Sequence, residues 1–338
     1  MRELLVTDIT LRDGNHAVAH QLTAHQFEVY AEAAEAAGMP IVEVGHGNGV
    51  GASSMQVGES LLSDTEMLEV VRAKLKHSRL GIHVIPGFAT INKDLRPAIE
   101  AGVDVIRVAS HCTEADITER HITFAREQGK EVYGVLMMSH MASKEVLLEE
   151  ARKMELYGAE GVVLMDSAGA YLPMDVRDKI SLLAEELTIP VGFHAHNNMG
   201  MAVANSLTAV ESGAYIVDGA SRGFGAGAGN AQLEALVAVL ARYGYTTHID
   251  LYGALDAGDV AERELLEVVP YAKSTSIVSG MAGVFSAFAK PVDRISKEYG
   301  VDARDVFFEL GRRGIVAGQE DIIIEVAQKL AEEGAARG

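Results

Sequence analysis

Two histidines separated by one residue form the clearest chemical signal in the chain. The segment VGFHAHNN, residues 191–198, is apolar before His194 and polar after His196, as expected where a buried strand ends. Side chains two residues apart on a strand point to the same face, so both imidazoles project together. Such a pair is half of a metal site, which a carboxylate or water completes. The alternative is a purely structural pair of imidazoles.

A second polar cluster ends the first apolar run of the chain, VTDITLRDGNHAVAH at residues 6–20. In a closed barrel the first strand lies beside the eighth and near the seventh, so we expect Asp13 to reach His194 and His196. Two imidazoles, one carboxylate and open positions suit octahedral Mn²⁺ or Mg²⁺, and Fe(II) uses the same ligand set. A closed structural zinc site needs four protein ligands, usually with cysteine, and the chain has only Cys112.

The first cluster offers two further catalytic candidates. Arg12 is either a surface arginine or, beside a metal, a guanidinium that stabilises an enolate oxygen or holds a carboxylate. His16 is a candidate general base or acid near neutral pH. We expect His20 to have a structural role and Cys112 to be a small buried residue, because nothing near it marks a reactive thiol.

The elements that position these residues are indicated by short apolar runs that alternate with amphipathic stretches. Residues 23–38 and 143–158 begin with Thr or Ser and end with Gly, as helices do. The alternation of eight strands with helices predicts a (β/α)8 TIM barrel, with an open doubly wound sheet as the alternative. The predicted strands are Leu4–Leu11, Ile41–His46, Leu80–Ile85, Val105–Ser110, Val132–Ser139, Gly161–Asp166, Val191–His196 and Ile216–Ala220.

Barrel active sites lie at the carboxyl ends of the strands. Six histidines are predicted at or just beyond such ends, which favours a polar pocket there: His16, His46, His111, His140, His194 and His196. The glycine-rich segment GFGAGAGNAQLEAL, residues 223–236, superficially resembles a dinucleotide fingerprint but lies at the end of the alternation. We interpret it as a tight turn whose free N–H groups can bind an anion.

The alternation ends near Tyr243, and the rest of the chain has the pattern of helices without clear strands. We therefore expect a TIM-barrel catalytic domain with the metal site over residues 1–246. Residues 247–338 are expected to form a helical C-terminal domain that contacts a partner or another copy of the chain.

Composition excludes several classes of function. The 338 residues are 48% hydrophobic and 23% charged, which predicts a folded protein with a large core. A formal charge of −19 argues against binding to nucleic acid or to an anionic membrane surface. A single cysteine, the lack of a signal-peptide pattern and the absence of ~18 consecutive apolar residues predict a cytoplasmic protein without a membrane span.

Seven segments together resemble the 4-hydroxy-2-oxoacid (4-hydroxy-2-oxovalerate) aldolases. That family belongs to the metallolyase superfamily of hydroxymethylglutaryl-CoA lyase and isopropylmalate synthase. The resemblance covers nearly the whole chain, including the helical tail. The segments are DITLRDGNHA, HCTEADITERHI, LMMSHMAS, LMDSAGAY, GFHAHNNMGMAVANS, GAGAGNAQLE and LGRRGIVAGQEDII.

The resemblance implies class II aldol chemistry, in which a 4-hydroxy-2-oxo acid is cleaved to pyruvate and a short aldehyde, or formed from them. Asp13, His194 and His196 would hold Mn²⁺, or else Mg²⁺ or Co²⁺, which chelates the 2-oxo acid. His16 would take the proton of the 4-hydroxyl group, and Arg12 with the metal would stabilise the pyruvate enolate.

The resemblance also implies a set of residues at the substrate. Ser167 matches a position that contacts the substrate carboxylate, and Arg12 and His194 are expected beside it. Asn230 matches a position where some superfamily members place a further ligand. Phe285 stands where the family commonly has a tyrosine credited with proton handling and with the shape of the aldehyde pocket. Because phenylalanine cannot exchange a proton, either water or another residue returns it, or this branch handles another acceptor or stereochemistry.

In the family, the helical tail usually docks an acylating aldehyde dehydrogenase, so that aldehyde passes between the two active sites. The segment LGRRGIVAGQEDIIIEVAQKL preserves this tail in type, so we predict such a partner, together with a homo-oligomer. A stand-alone enzyme is the alternative. Other candidate functions are a Claisen-type acyl-CoA condensing enzyme and a non-catalytic scaffold without a metal requirement. A metal hydrolase on the same barrel is a third, but such enzymes tend to place His-x-His on strand one, whereas here it falls on strand seven.

Overall fold

The computed structural model describes residues 2–316 and 318–337; Met1, Ala317 and Gly338, which fall in the predicted domains, lie outside the described residues. Within these ranges, eight parallel strands close into a barrel in which each strand pairs with the next in chain order. This confirms the predicted TIM barrel. The strands are β2 (Leu5–Asp8), β3 (Ile41–Glu43), β4 (Arg79–Val84), β5 (Val105–His111), β6 (Glu131–Met137), β7 (Val162–Asp166), β8 (Val191–Ala195) and β9 (Ile216–Gly219). A separate short pair, β1 (Arg2–Glu3) and β10 (Tyr245–Thr246), flanks the barrel.

One helix follows each barrel strand. They are α1 (Ala24–Ala36), α2 (Asp64–Arg72), α3 (Arg96–Glu100), α4 (Glu119–Glu127), α5 (Lys144–Leu156), α6 (Pro173–Glu186), α7 (Ala202–Glu211) and α8 (Leu233–Arg242). The predicted caps are confirmed, since Thr23 forms a capping box with Gln26 and the Ser143 hydroxyl accepts the Val146 N–H. No helix in the described ranges is both long and apolar enough to cross a bilayer.

The first predicted strand, Leu4–Leu11, is wrong at its carboxyl end. The strand stops at Asp8, and the backbone turns because the N–H groups of Arg12 and Asp13 both donate to the Ile9 carbonyl. Ile9 and Leu11 are nevertheless fully buried, so their apolar pattern continues through the turn. This turn carries Arg12 and Asp13 across the barrel mouth. Because β2 pairs with β9, and β9 with β8, it reaches the side of the barrel that bears the histidine pair.

The tail consists of α9 (Leu251–Glu264), α10 (Ser274–Ala282), α11 (Ala289–Tyr299), α12 (Ala303–Arg313) and α13 (Ile322–Arg337). Helix α9 packs against α1 and α8 of the barrel ring. The later helices share an apolar core that includes Phe288, Phe307 and Val326, and Met138 of the barrel packs into it. The domain boundary after residue 246 stays a prediction.

A buried amide joins the tail to the barrel mouth. Asn198 Nδ2 donates to Ser286 Oγ and to the Ala168 carbonyl, each at 2.9 Å. The Ser286 N–H donates to the Ser167 carbonyl at 2.9 Å. The segment of the tail between α10 and α11 is therefore anchored beside the ends of β7 and β8.

Candidate metal centre

Asp13, His194 and His196 converge at the carboxyl ends of the barrel strands. Their ligand atoms lie within 4.8 Å of one another, and all three residues are buried. The Nε2 atoms of the two histidines are 3.4 Å apart, and Asp13 Oδ2 lies 4.0 Å from His196 Nε2. The structure thus brings together the three residues that the sequence predicts as ligands.

The chemistry of these donors fits a divalent cation. His194 Nδ1 lies 3.0 Å from Asp218 Oδ2, and since a carboxylate accepts, Nδ1 carries the proton and Nε2 presents its lone pair. Burial lowers the pKa of His196 to about 3, so this imidazole is neutral at pH 7. Nearby, the buried Oδ1 of Asn230 has no hydrogen-bond partner among the described residues. Imidazole and oxygen donors of this kind suit a divalent ion with open coordination positions.

The glycine-rich loop after β9 holds the other oxygen of Asp13. Asn230 Nδ2 donates to Asp13 Oδ1 at 2.8 Å, and the Ala226 N–H donates to it at 3.2 Å. A Cβ at Gly225 would stand 2.5 Å from the same oxygen and 2.0 Å from Asn230 Nδ2, so glycine is required for this approach. The backbone of this turn therefore binds an anion, and that anion is the Asp13 carboxylate of the chain itself.

Arg12 is fixed between two carboxylates. Its Nη1 donates to Asp13 Oδ2 at 2.7 Å, and its Nε donates to Glu43 Oε1 at 2.6 Å. Burial alone would raise the pKa of Asp13, but the Arg12 guanidinium and the nearby imidazoles hold it well below its usual range. The remaining Nη2 of Arg12 is buried and has no partner within the described part of the chain. That nitrogen is available to bind an oxygen of a substrate.

Arg107 continues this chain of charges through the barrel interior. It is almost completely buried, and it donates from Nη1 to Glu43 Oε2 at 3.1 Å and from Nη2 to Asp218 Oδ2 at 2.6 Å. Asp218 in turn holds His194. A buried charge costs several kcal/mol unless it is paired, so these residues depend on one another.

Sequence reasoning missed Glu43, Arg107 and Asp218. Each is a single charged residue within an otherwise apolar strand, in the segments IVE, VIRVASH and IVDG. A charge inside a strand that helices cover must find a buried partner. That signal was available in the sequence, although the identity of each partner was not.

His16 and Phe285 line a cavity of about 700 Å³ between the barrel mouth and the tail. His16 ends the short 3₁₀ turn Asp13–His16, and its ring lies so close to Gly47 that a Cβ there would be 2.4 Å away. Burial lowers the pKa of His16, although Asp13 opposes this, so the neutral ring is a base near pH 7. The Phe285 ring packs edge-to-face on Phe288, with centroids 5.9 Å apart.

The other predicted residues have partners away from the three ligands. Ser167 is buried and its Oγ accepts the Met138 N–H at 2.9 Å. Cys112 is buried as expected, and burial raises the pKa of its thiol to about 11. The remaining histidines make structural contacts: His20 stacks on His46 with centroids 3.6 Å apart, His111 Nδ1 lies 2.9 Å from Thr113 Oγ1, and His140 Nε2 lies 2.9 Å from the Gly283 carbonyl.

Comparison with known proteins assigns the family. Residues 3–261 match the HMGL-like family, and residues 270–332 match the DmpG-like communication domain. The 4-hydroxy-2-oxovalerate aldolase of Spirochaeta aurantia is 65% identical over 331 residues, 98% of this chain and 97% of that protein. The 4-hydroxy-2-oxovalerate aldolase of Pectobacterium atrosepticum is 63% identical over 331 residues, 98% of this chain and 96% of that protein. The chain belongs to the 4-hydroxy-2-oxovalerate aldolase family. This confirms the resemblance and the predicted class, a metal-dependent carbon–carbon lyase of the aldolase type.

Solved structures support the fold of this family member. The N-terminal domain of a Bacteroides vulgatus protein described as an aldolase superposes with a TM-score of 0.74 at 23% identity. It covers 88% of this chain and 98% of that one. The carboxyl transferase domain of Rhizobium etli pyruvate carboxylase gives a TM-score of 0.81 at 15% identity, covering 98% of this chain and 61% of that one. At these identities the similarity concerns the fold alone.

Removal of divalent metal should lower the stability of the protein. Metal at about 100 times its Kd contributes about 2.7 kcal/mol, so we expect Mn²⁺ or Mg²⁺ to raise the Tm of EDTA-treated protein in a dose-dependent manner. Differential scanning fluorimetry measures the shift. Asp13→Asn should abolish it, whereas Asp256→Asn, at an exposed acid of α9, should not. A Tm that responds to neither EDTA nor added metal would contradict the metal centre.

Asp218→Asn should weaken metal binding, although Asp218 is not itself one of the three candidate ligands. The substitution removes the negative charge that orients His194 and balances Arg107, and loss of such a contact typically lowers affinity ~10–100-fold. Titration calorimetry of the metal-free protein with Mn²⁺ measures the change. Asp256→Asn serves as the control, and circular dichroism checks the fold. An unchanged Kd in a folded Asp218→Asn variant would exclude this positioning role.

Proposed function

We propose that this chain cleaves 4-hydroxy-2-oxovalerate, or a close 4-hydroxy-2-oxo acid, to pyruvate and a short aldehyde and catalyses the reverse addition. We propose Mn²⁺ as its ion, with Mg²⁺ or Co²⁺ as substitutes. The main support is one arrangement: Asp13, His194 and His196 converge beside an unpaired Arg12 nitrogen, and His16 stands at the adjoining cavity. We also propose a cytoplasmic location for this reaction.

Asp13, His194 and His196 would hold the cation, which when bound supplies Lewis-acid polarisation of the 2-oxo group and stabilises enolate charge. Arg12 acts beside it. Its Nε and Nη1 are held by Glu43 and Asp13, so Nη2 is aimed without further loss of side-chain freedom. We assign Nη2 to an oxygen of the 2-oxo acid.

His16 handles the proton of the reaction. Its neutral ring accepts the proton of the C4 hydroxyl group while the C3–C4 bond breaks. The electron pair of that bond passes into the enolate of pyruvate, and C4 becomes the carbonyl carbon of the aldehyde. Protonation at C3 then completes pyruvate. Because Phe285 cannot donate a proton, the protonated His16 or water returns it.

Ser167 and Phe285 are assigned to the two ends of the substrate. The Ser167 hydroxyl already accepts the Met138 N–H, so its own proton remains to donate to a carboxylate. His194 is assigned to the carboxylate end of the substrate as well, because it is a candidate ligand of the metal at that end. Phe285 lines the cavity on the tail side, where it bounds the space for the aldehyde.

We propose that residues 1–246 carry the chemistry and residues 247–338 dock an acylating aldehyde dehydrogenase. Two observations support this: residues 270–332 match the DmpG-like communication domain, and exposed apolar side chains extend from the cavity to α10. Val268, Tyr271 and Met281 are among these side chains. We propose in addition that the protein associates with further copies of itself.

His16→Ala should lower kcat for pyruvate release by ~10²–10⁴-fold, because the C4 hydroxyl loses its base. The metal content of the variant should stay unchanged. A coupled assay with 4-hydroxy-2-oxovalerate measures turnover, with and without EDTA and Mn²⁺. His25→Ala, at an exposed histidine of α1, is the control. Full turnover by His16→Ala would remove the base assignment, and turnover unaffected by EDTA would remove the metal from the mechanism.

The protein should co-elute with a cognate acylating aldehyde dehydrogenase when the two purified proteins are mixed. Met281→Glu on α10 should weaken the complex, because a charge would enter an apolar contact. Size exclusion of the mixture, with each protein alone for comparison, measures the complex. Met174→Glu, at an exposed methionine of barrel helix α6, is the matched control. Separate elution of the two wild-type proteins would contradict the partner.

A further inference from the structure

A cation from the tail stands beside the turn that carries His16. Lys290 is the second residue of α11 and lines the same cavity as His16 and Phe285. Its Nζ donates to the carbonyl of Ala17 at 2.6 Å, and Ala17 directly follows His16. This bond uses one of the three ammonium protons and fixes the charge at the cavity wall.

The ammonium of Lys290 lacks a carboxylate partner. Glu267 and Asp293 line the cavity too, yet across residues 2–316 and 318–337 no acidic oxygen lies within 4.0 Å of Nζ. The side chain of Lys290 is exposed as a whole, whereas partial burial of its ammonium lowers the pKa of Lys290, although Glu267 opposes this. In a chain of net charge −19, a cation without a carboxylate partner in the cavity that His16 lines is a feature that favours an anionic ligand.

The position of Lys290 corresponds to one end of the substrate. Asp13, Arg12 and the two histidine ligands occupy the strand ends, where the 2-oxo and carboxylate oxygens belong. With the C4 hydroxyl at His16, the carbons beyond C4 lead toward the tail. Phe285 and Lys290 of the tail both line the cavity at His16, so the first offers an apolar surface for methylene groups and the second offers a positive charge.

We propose that Lys290 binds a terminal carboxylate on the aldehyde half of the substrate, so that the enzyme accepts 4-hydroxy-2-oxo dicarboxylic acids. This inference rests on the proposed aldolase function and adds a substrate class to it. In the addition direction, C3 of pyruvate loses a proton and bonds to the aldehyde carbon, whose oxygen gains a proton. The distal carboxylate takes no part in that step and only positions the aldehyde.

The test compares two aldehydes of similar length in pyruvate addition, 4-oxobutanoate and pentanal. A charge-assisted hydrogen bond predicts that wild-type kcat/KM is about tenfold higher for 4-oxobutanoate, an advantage that should shrink at high salt. In Lys290→Met the ratio of the two kcat/KM values should fall about tenfold, in Lys290→Arg it should be retained, and in Lys290→Glu it should favour pentanal. Lys297→Met, at an exposed lysine of the same helix, is the matched control and should keep the wild-type ratio.

The outcomes separate this inference from the proposed function. Equal losses of kcat/KM for both aldehydes in Lys290→Met would show that Lys290 only holds the turn at Ala17, and the inference would fall. A wild-type ratio near one would overturn it as well. Cleavage of 4-hydroxy-2-oxovalerate is measured in parallel. If the wild type does not cleave this substrate and adds neither aldehyde to pyruvate, the aldolase function itself is rejected.

Discussion

Arg107 lies at the centre of a chain of buried charges that connects two ligands of the metal centre. Through Glu43 it fixes Arg12 and hence Asp13, and through Asp218 it fixes His194. Burial alone would raise the pKa of Glu43, but Arg107 and Arg12 lower it to about 2. The Glu43 carboxylate therefore remains ionised at neutral pH, between the two guanidinium groups. The ligands are held by charges that are already paired, so little reorganisation is left for the binding of an ion.

The same charges explain why the site needs a closed barrel. Glu43, Arg107 and Asp218 come from β3, β5 and β9, and only closure lets side chains from these strands meet in one interior. The tail then completes the mouth from outside. Asn198 lies two residues after His196, and it joins Ser286 of the tail to Ala168 while its Oδ1 accepts the Ala228 N–H at 2.9 Å. This amide therefore ties the tail to the segment that follows β8 and contains His196.

Some of this architecture follows from local patterns, and some does not. The period of two predicts that His194 and His196 share a face, and strand order predicts that Asp13 reaches them. Hydrophobic pattern reports burial rather than backbone pairing, so the buried Ile9 and Leu11 extend the predicted strand beyond Asp8, where the strand itself ends. The partners of Arg107 lie 64 and 111 positions away, and Ala17 lies 273 positions from Lys290. Contacts of that separation are set by the fold, not by any local pattern.

On the proposed assignment, the chemistry is divided between the two parts of the chain. The barrel supplies the three candidate ligands, together with Arg12 and His16, which are assigned to the 2-oxo acid and to the bond that breaks. The tail supplies Phe285 and Lys290, which line the same cavity as His16 and are assigned to the aldehyde half. Lys290 also connects the two parts of the chain, because its ammonium donates to the Ala17 carbonyl of the barrel, next to His16. On the proposed assignment, Lys290 keeps its bond to Ala17 and has two further ammonium protons for a carboxylate, so the aldehyde end is recognised while the turn that carries His16 stays in place.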